Sequence, residues 1–484
     1  MNEVRMIPLA LGVALACAVQ ACAIPAVNNK AVERNLPDQF VQGTESSQES
    51  AAAIDWADFF DDPDLAVLIE TALANNKEVG ILLQRMQRAQ NEIQARRGEY
   101  LPFVSIGAEW ESEKVGELTR NGAVEKQLEI DEGKAFPEPL QNLEVGLYAS
   151  WELDVWKKLR KATKVAALEY LASVEGQHLL VTNLVAEVAN NFYELLALDS
   201  QLENLNQYIE IQQNALDVTR DLLNFGRVNS LAVTRFEAEV SKNESERYAI
   251  RQRIIETENH LNLLLGRTPQ PIVRSSRALL EREPPVVQTG VPSQLLENRP
   301  DIRRAELELA AADLNVDVAK ANFYPSFAIR AGVGLEAFKA EHLFETPASL
   351  AYAVGGDVIA PLFNRNAIKA VYKNANAAQV EAAYEYEQTL LNAFTEVATS
   401  VAEIENLGRS YQSKLRQVEA LDSSVDVANQ LFASARADYL EVLLAQREAL
   451  EARRELIETK QKQLSAAVNL YRALGGGWRD QAAQ

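Results

Sequence analysis

Residues 96–110 read RRGEYLPFVSIGAEW, and a near-copy, AKANFYPSFAIRAGV, stands at residues 319–333. Each stretch has a polar run, one proline (Pro102 or Pro325) and then a run in which apolar and polar residues alternate. Proline disfavours the helical conformation in the residue before it, and alternation puts each class of side chain on its own face of a strand. Both stretches therefore predict a helix that ends at a proline and passes into a β-strand.

The rest of the chain repeats the same arrangement. A shift of 223 residues aligns Pro102 with Pro325, and further along a shift of 209 residues aligns Arg227 with Arg436. The smaller second shift indicates a longer loop in the first half, within residues 111–141. Each half then reads helix, strand, loop, strand, very long helix, turn and helix, as expected for an internal duplication.

Two windows without proline predict the long helices: one lies between Pro139 and Pro269, and the other follows Pro361. In both, apolar residues recur at alternating steps of four and three, which is the 3.5-residue period of coiled coils. Residues 157–225 as one helix would be about 100 Å long at 1.5 Å per residue. His178 lies on the first apolar stripe, where a packed or hydrogen-bonded residue is favoured over a metal ligand.

Four alternating runs predict strands with one apolar and one polar face. The apolar sets are Val104, Ile106, Ala108 and Trp110; Val145, Leu147, Ala149, Trp151 and Leu153; Phe327, Ile329, Ala331, Val333 and Leu335; and Leu350, Tyr352, Val354 and Val358. Glu109, Glu152, Arg330 and Asp357 fall on the polar sides and are candidates for a channel lumen. Each run is near the ~10 residues that cross a bilayer as a tilted strand. Half-buried strands of a soluble sheet show the same alternation, so that alternative stays open.

The number of strands bears on the assembly. Four strands cannot close a barrel in lipid, because an open sheet edge leaves backbone groups unpaired. Two copies would supply eight strands and three copies twelve, and only the larger barrel leaves appreciable room for passage. The sequence therefore predicts that several copies build one cylinder, with Pro102 and Pro325 at the helix–strand junctions.

Composition narrows the function. A formal charge of −21 and a pI near 4.8 disfavour nucleic acid as a partner. The chain has three histidines far apart and two cysteines, both within the first 22 residues, which leaves no material for a disulfide framework or a zinc finger. GxSxG, HExxH and Walker patterns are absent. We therefore expect neither enzymatic activity nor a cofactor or metal site.

The N-terminus, MNEVRMIPLALGVALACAVQAC, predicts a secretory signal. Its apolar segment of roughly 15 residues is short for a membrane span. VQAC approximates a lipoprotein cleavage site, so residues 1–21 are predicted to be the signal peptide and Cys22 the acylated residue. Cys17 is a poorer candidate, and the alternative for Cys22 is a small buried thiol. Several acyl chains on Cys22 would give a lasting membrane anchor.

Five motifs, in order along the chain, resemble the TolC-like outer-membrane efflux lipoproteins, the outer-membrane factors of tripartite pumps. They are WADFFDDPDLAVLIETALANN (56–76), YASWELDVWKKLRKA (148–162), NRPDIRRAELELAAADLNVDVAKANFYPSFAI (298–329), YLEVLLAQREAL (439–450) and VNLYRALGGGW (468–478). The resemblance implies a mixed α and β membrane protein. It would be a homotrimer with a twelve-stranded β-barrel in the outer membrane, a twelve-helix periplasmic α-barrel and an equatorial collar. It further implies docking to a periplasmic adaptor and an inner-membrane transporter, and export of drugs, metals or other small solutes.

In this family the turns between the long helices close the periplasmic end, and the matching turns here are residues 225–233 and 434–442. Glu441 occupies one of two acidic positions common in relatives, but the other position is Leu444, which puts a cation-binding constriction in doubt. Arg227 and Arg436 are expected to bond neighbouring helices at the closed tip or to contact an adaptor. Two alternatives stay open: Glu441 as a solvated helix charge, and both arginines as plain surface residues. The tip candidates are Arg227, Leu231, Arg436, Asp438, Tyr439, Glu441 and Leu444.

The expected organisation follows from these features. Its segments are residues 1–21, the signal peptide; 22–55, an acylated extended segment; 56–266, the first repeat; 267–292, a connecting equatorial segment; 293–478, the second repeat; and 479–484, the tail. The function expected is a passive exit duct of a tripartite efflux system. A type I secretion outlet and a coiled-coil lipoprotein that tethers the envelope are the alternatives.

Overall fold

The structure is a computed structural model that describes residues 24–28, 30–34, 36–40, 49–131, 133–135, 137–274, 279–434 and 436–479. The predicted signal peptide and the predicted acylation site Cys22 lie outside the described residues. The chain forms two compact units. The sheet unit comprises residues 87–171 and 307–384 with the chain up to residue 31, and the helical unit comprises residues 32–86, 172–306 and 385–484.

Helices make up most of the described chain. They are α1 (Trp56–Phe60), α2 (Pro63–Asn75), α3 (Lys77–Tyr100), α4 (Arg120–Glu125), α5 (Lys158–Asn224), α6 (Ser230–Leu264), α7 (Leu295–Asn298), α8 (Pro300–Ala321), α9 (Asn366–Ala433) and α10 (Tyr439–Ala473). The two longest, α5 and α9, have 67 and 68 residues, and each is followed by a turn and a 35-residue helix. Long proline-free windows thus form continuous helices, as the sequence predicts.

The sheet unit contains the strands β1 (Phe103–Glu113), β2 (Glu129–Asp131), β3 (Lys134–Ala135), β4 (Leu140–Leu153), β5 (Ser326–Ala337) and β6 (Leu350–Ile359). Strands β1, β4, β5 and β6 form one antiparallel sheet in that order, and β2 pairs with β3. The loop between β1 and β4, expected only to be long, carries α4 and the β2–β3 hairpin. Residues 111 and 141, assigned to that loop from the sequence, belong to the strands, since pairing continues to Glu113.

Register decides which side chains share a face of this sheet. Val104 pairs with Ala149, and Ala149 pairs with Ala331, so the predicted apolar sets lie together on one face. The polar sets lie together on the other face. The α8–α9 side of the unit packs separately, through Val316, Ala319, Phe323 and Tyr372, with Ile24 and Val27 of the N-terminal segment against them.

The helical unit has the largest apolar core of the described chain, built from α1, α2, the middle of α5, and α10. Tyr471 is buried in this core: its ring stacks on Phe59 with centroids 4.1 Å apart, and its hydroxyl donates to the Ile54 carbonyl at 2.7 Å. Burial of large aromatic side chains supplies much of the stability of such a core.

Two glycines end the shorter helices of the long helical pairs. Gly266 follows α6 with φ +66° and Gly475 follows α10 with φ +89°. A Cβ would lie 2.2 Å from the Asn75 carbonyl oxygen at the first position and 2.4 Å from the Asn298 carbonyl oxygen at the second. Both positions need glycine, for its conformation and for the close approach. The GGG run at residues 475–477 therefore ends α10.

Candidate functional site

The polar face of the sheet holds all four residues predicted to share it: Glu109, Glu152, Arg330 and Asp357. Arg330 and Asp357 form an ion pair with 3.0 Å between Nε and Oδ2. Glu109 and Glu152 have no ion-pair partner among the described residues. The alternating pattern was enough to place these residues together, because the side-chain period of a strand is two.

An acidic row crosses the same face. Glu109 lies directly opposite Glu144, and Glu144 directly opposite Glu336, on three neighbouring strands. Tyr148 donates its hydroxyl to Glu144 Oε1 at 2.6 Å. Like charges directly opposite one another destabilise a sheet, so this row works against folding. Sequence reasoning missed the row because strand register was not known.

The opposite face is apolar and exposed. Ile106 is 77% exposed, Tyr352 80% and Val354 77%. Other large apolar side chains exposed on this face are Val104, Trp110, Leu147, Trp151, Ile329, Val333, Leu350 and Val358. A contiguous apolar surface of this kind marks contact with a membrane or another protein.

The two helix–strand junctions contain the predicted prolines. Pro102 lies between α3 and β1, and Pro325 between α8 and β5. Indole N–H groups donate to carbonyls at both: Trp151 to Tyr100 at 3.0 Å, and Trp156 to Pro325 at 2.7 Å. The Trp156 ring also stacks on Tyr324, with centroids 4.7 Å apart. Trp156 was missed from the sequence, because its partner is 169 residues away.

The turns at the ends of the long helices have the same backbone hydrogen bond. Arg227 N–H donates to the Leu222 carbonyl at 2.9 Å, and Arg436 N–H to the Leu431 carbonyl at 2.8 Å. Gly226 takes φ +68° in the first turn. Both arginine side chains are exposed and have no partner among the described residues. The backbone groups of these arginines, and not their side chains, thus close the turns.

The other tip candidates divide into two groups. Tyr439, which is half-buried, packs against a small core of Leu216, Phe236, Val240 and Leu443. Glu441 and Leu444 lie together on the exposed face of α10, while Val442 and Leu443 are buried. Leu231 is exposed, and Asp438 stands before α10 without capping it through its side chain. The structure therefore leaves Leu231, Glu441 and Leu444 free to face a passage or a partner.

A buried amide pair lies further along the α5–α6 pair. Asn243 Nδ2 donates to Gln212 Oε1 at 2.7 Å, and both residues are almost fully buried. Polar pairs in a helical seam fix the register of the helices at a cost in stability. The sequence gives no sign of this pair, because either residue alone is typical of an exposed helix position.

Two arginines that lie outside the helices, Arg274 and Arg299, form ion pairs with helices of the same unit. Arg274 donates to Glu258 Oε1 at 2.6 Å and to Asp199 Oδ1 at 2.9 Å, and its hydrogen bonds to Asp199 contribute most to raising its pKa. Arg299 is held by Asp301 and Glu396. Burial of Arg299 opposes its charge, but these two carboxylates outweigh it and raise the pKa. These arginines are structural links.

His178 is a packed residue of the helical unit. Its ring stacks on Trp478 with centroids 4.3 Å apart, and Nδ1 lies 3.1 Å from Glu175 Oε2. Glu175 also pairs with Arg303 at 2.6 Å. Glu175, three residues before His178, was not predicted as its partner. The described residues contain no group of three or more His, Cys, Asp or Glu that could hold a metal ion. Among the same residues, no helix has the length and hydrophobicity to span a bilayer.

Comparison with known proteins establishes the family. The family model described as "Outer membrane efflux protein" matches residues 68–267 and 291–476, so the chain belongs to that family. It is 28% identical over 439 residues to the toluene efflux pump outer membrane protein TtgF of Pseudomonas putida, covering 90% of this chain and 88% of the relative. It is 26% identical over 450 residues to the cation efflux system protein CusC of Escherichia coli, covering 92% and 93%.

A solved structure shows the same fold. The open-state MtrE outer membrane channel of Neisseria gonorrhoeae superposes with a TM-score of 0.81 at 23% identity, covering 94% of this chain and 98% of that one. By its family, the chain is an efflux channel component of the outer membrane. The two relatives are thus named as an outer membrane protein of an efflux pump and as a protein of a cation efflux system.

Proposed function

We propose that three copies of this chain form a passive exit duct, in which the sheet contributes four strands per copy to a twelve-stranded barrel. The observation that carries the proposal is the segregation of the two sheet faces. One face exposes large apolar side chains and the other holds every charged residue of the central strands. A barrel in lipid needs an apolar exterior and tolerates charge inside.

The helices extend this duct toward its partners. We assign the α5–α6 and α9–α10 turns to the periplasmic end, where Leu231, Glu441 and Leu444 are exposed. A periplasmic adaptor and an inner-membrane transporter would deliver cargo there and open the tips. Acylation of Cys22 would add a lipid anchor. Arg227 and Arg436 would hold neighbouring helices at the closed tip or contact the adaptor.

The acidic row, Glu109, Glu144 and Glu336, affects which solutes can pass through the channel. Carboxylates of Glu109, Glu144 and Glu336 on a lumen wall attract cations and repel anions. Relatives are named for toluene and for cation efflux. We assign to this chain small molecules that are neutral or cationic.

Native mass spectrometry and single-channel recording in planar bilayers test the proposal together. We expect a trimer that conducts, with larger currents when tip residues are replaced. A monomer, or a protein without conductance even after tip replacement, would contradict the duct and favour a tether. Affinity purification from membranes separates the remaining alternative: a pump outlet retains an adaptor and transporter, and a type I outlet retains a secretion ATPase.

A further inference from the structure

The helix–strand junctions of the sheet unit carry a concentration of positive charge. We define the junction zone as residues 96–102, 154–164, 317–325 and 360–373, the segments that flank the four-stranded sheet. This zone contains eleven of the 48 Lys and Arg residues but only three of the 69 Asp and Glu residues of the chain. The net charge of the whole protein is −21. A local excess of positive charge in such a protein indicates a binding partner of negative charge.

Ion pairs within the protein neutralise only part of this positive charge. All three acids of the zone are already matched: Glu99 with Arg96, Asp154 with Arg160 and Asp317 with Lys161. Seven bases remain without a partner among the described residues. They are Arg97, Lys157, Lys158, Lys164, Lys320, Lys369 and Lys373. Six of the seven are exposed, and Lys158 is half-buried.

These bases lie in a thin layer beside the sheet. Lys373 is seven residues into α9 and Lys164 six residues into α5, so both lie within about 10 Å of the helix start. The headgroup region of a bilayer leaflet is roughly 5–8 Å thick. Long lysine side chains can place their ammonium groups in such a layer while their stems cover apolar surface.

Along the chain, aromatic residues stand between the strands and the bases: Trp156 lies between β4 and Lys157, and Tyr324 lies between Lys320 and β5. Trp151 and Trp156 donate to carbonyls at the junctions, and Trp156 stacks on Tyr324. Tryptophan and tyrosine prefer the boundary between hydrocarbon and headgroups. Apolar strands, an aromatic layer and a basic layer thus follow one another in the order of hydrocarbon, interface and headgroup.

From this order we infer that the junction zone binds anionic phospholipid headgroups of the leaflet that faces the helices. The inference rests on the membrane-spanning sheet of the proposed function. Phosphatidylglycerol is the simplest lipid that fits, since it offers one net negative charge per headgroup to the unpaired ammonium groups. Anionic lipid would then set the depth and the stability of insertion.

Tryptophan quenching by brominated lipids tests this inference. A Trp110→Phe background leaves Trp151 and Trp156 as the sheet-unit tryptophans. This protein is placed in phosphatidylcholine vesicles containing dibrominated phosphatidylglycerol or dibrominated phosphatidylcholine. We expect the brominated phosphatidylglycerol to quench more strongly at equal mole fraction, with a preference that 1 M NaCl removes, because the Debye length falls to ~3 Å.

A matched pair of variants localises the effect. Lys369→Gln with Lys373→Gln removes two exposed bases one turn apart on α9. The preference should fall by about five-fold for each base removed, since a base near a membrane surface contributes on the order of one kcal/mol. Lys77→Gln with Lys462→Gln removes two exposed lysines of the helical unit that have no partner in the described part of the chain, and should leave the lipid preference unchanged.

Three outcomes would overturn the inference. The two lipids could quench equally, or the two double variants could behave alike. Alternatively, Lys369→Gln with Lys373→Gln could shift the reversal potential or weaken the trimer without changing the lipid preference, which would place these lysines in the passage or between subunits. A protein that inserts and conducts without lipid preference refutes only this inference, whereas one that fails to insert refutes the duct itself.

Discussion

Arg330 on β5 and Asp357 on β6 pair across neighbouring strands, with 3.0 Å between guanidinium Nε and carboxylate Oδ2. The pair neutralises the only arginine on the polar face of the four described strands. On the same face, Glu109, Glu144 and Glu336 have no ion-pair partner within the part of the chain that the structure describes. The net sign of this face is therefore negative.

Replacement of Arg330 by glutamine should make the channel more selective for cations. The change frees the carboxylate of Asp357 and removes one positive charge per copy from the proposed lumen. Reversal potentials in a KCl gradient measure the effect, and Arg330→Lys is the control that retains the charge. Stability should change by less than about 1 kcal/mol, because both side chains are substantially exposed. An unchanged reversal potential would show that this face does not line the passage.

Adjacent residues of β1 give a sharper test of the two faces. Ile106 lies on the apolar face and Ser105 on the polar face, one residue apart and so at almost the same depth. Ile106→Arg should cost up to about 2–4 kcal/mol in a membrane and block insertion, whereas Ser105→Arg should be tolerated. Folding into lipid vesicles, followed by the mobility shift of the folded trimer on cold gels, measures this. Equal behaviour of the two variants would argue for a soluble sheet.

The turn arginines lead to a prediction about gating. Because the backbone N–H groups of Arg227 and Arg436 close the turns, Arg227→Ala with Arg436→Ala should leave the helices intact. If their side chains hold neighbouring helices at the tip, conductance in planar bilayers should rise several-fold while circular dichroism stays the same. Arg235→Ala, an exposed α6 residue without a partner in the described part, is the matched control. Parent-like currents in the double variant would remove both arginines from the gate.

Asp154, just outside β4, gives a prediction about pH. Its carboxylate accepts the backbone N–H groups of Leu159 and Arg160, each at 3.0 Å. Burial raises the pKa of Asp154, but these bonds and the Arg160 guanidinium outweigh burial, so the net pKa is lowered. A carboxyl group with a lowered folded-state pKa stabilises above its unfolded pKa of about 3.9, and this contribution is lost as pH falls through the folded value.

Asp154→Asn should therefore lower the free energy of unfolding by about 1 kcal/mol at pH 7, and the difference from the parent should shrink toward pH 3. Thermal unfolding of the detergent-solubilised protein at both pH values measures it. Arg160→Gln keeps the two backbone bonds and should cost less. A gap between parent and Asp154→Asn that persists at pH 3 would mean that the charge is not its source.

Most of the fold could be predicted from local patterns in the sequence. Residues 157–225, predicted as one helix, form α5 at Lys158–Asn224, because no proline interrupts the window and the apolar seam is continuous. The faces of the four strands were predicted because alternation depends on residues two apart. Both features are short-range, so one sequence is enough to read them.

Features that depend on register or distant pairing could not be read in this way. The Glu109–Glu144–Glu336 row exists only once β1, β4 and β5 are aligned. Trp156 and Pro325 are joined by the fold across 169 residues. The packing of Ile24 and Val27 against α8 and α9 likewise follows no local pattern. The contacts between residues far apart in the chain therefore could not be predicted, although the types of these residues are plain from the sequence.

Tyr148 lies flat on the polar face of the sheet, over two glycines. A Cβ at Gly107 would lie 3.0 Å from Cε2 of the tyrosine ring, and one at Gly332 would lie 3.4 Å from Cδ1. Because neither glycine has a side chain, the ring can lie close to the backbone of the sheet. The hydrogen bond from the Tyr148 hydroxyl to Glu144 holds the ring in this position. In the proposed trimer, the three Tyr148 rings would set the diameter of the channel at the level of this residue. Rotation of the Tyr148 side chain in each of the three copies would then narrow the channel without movement of a strand.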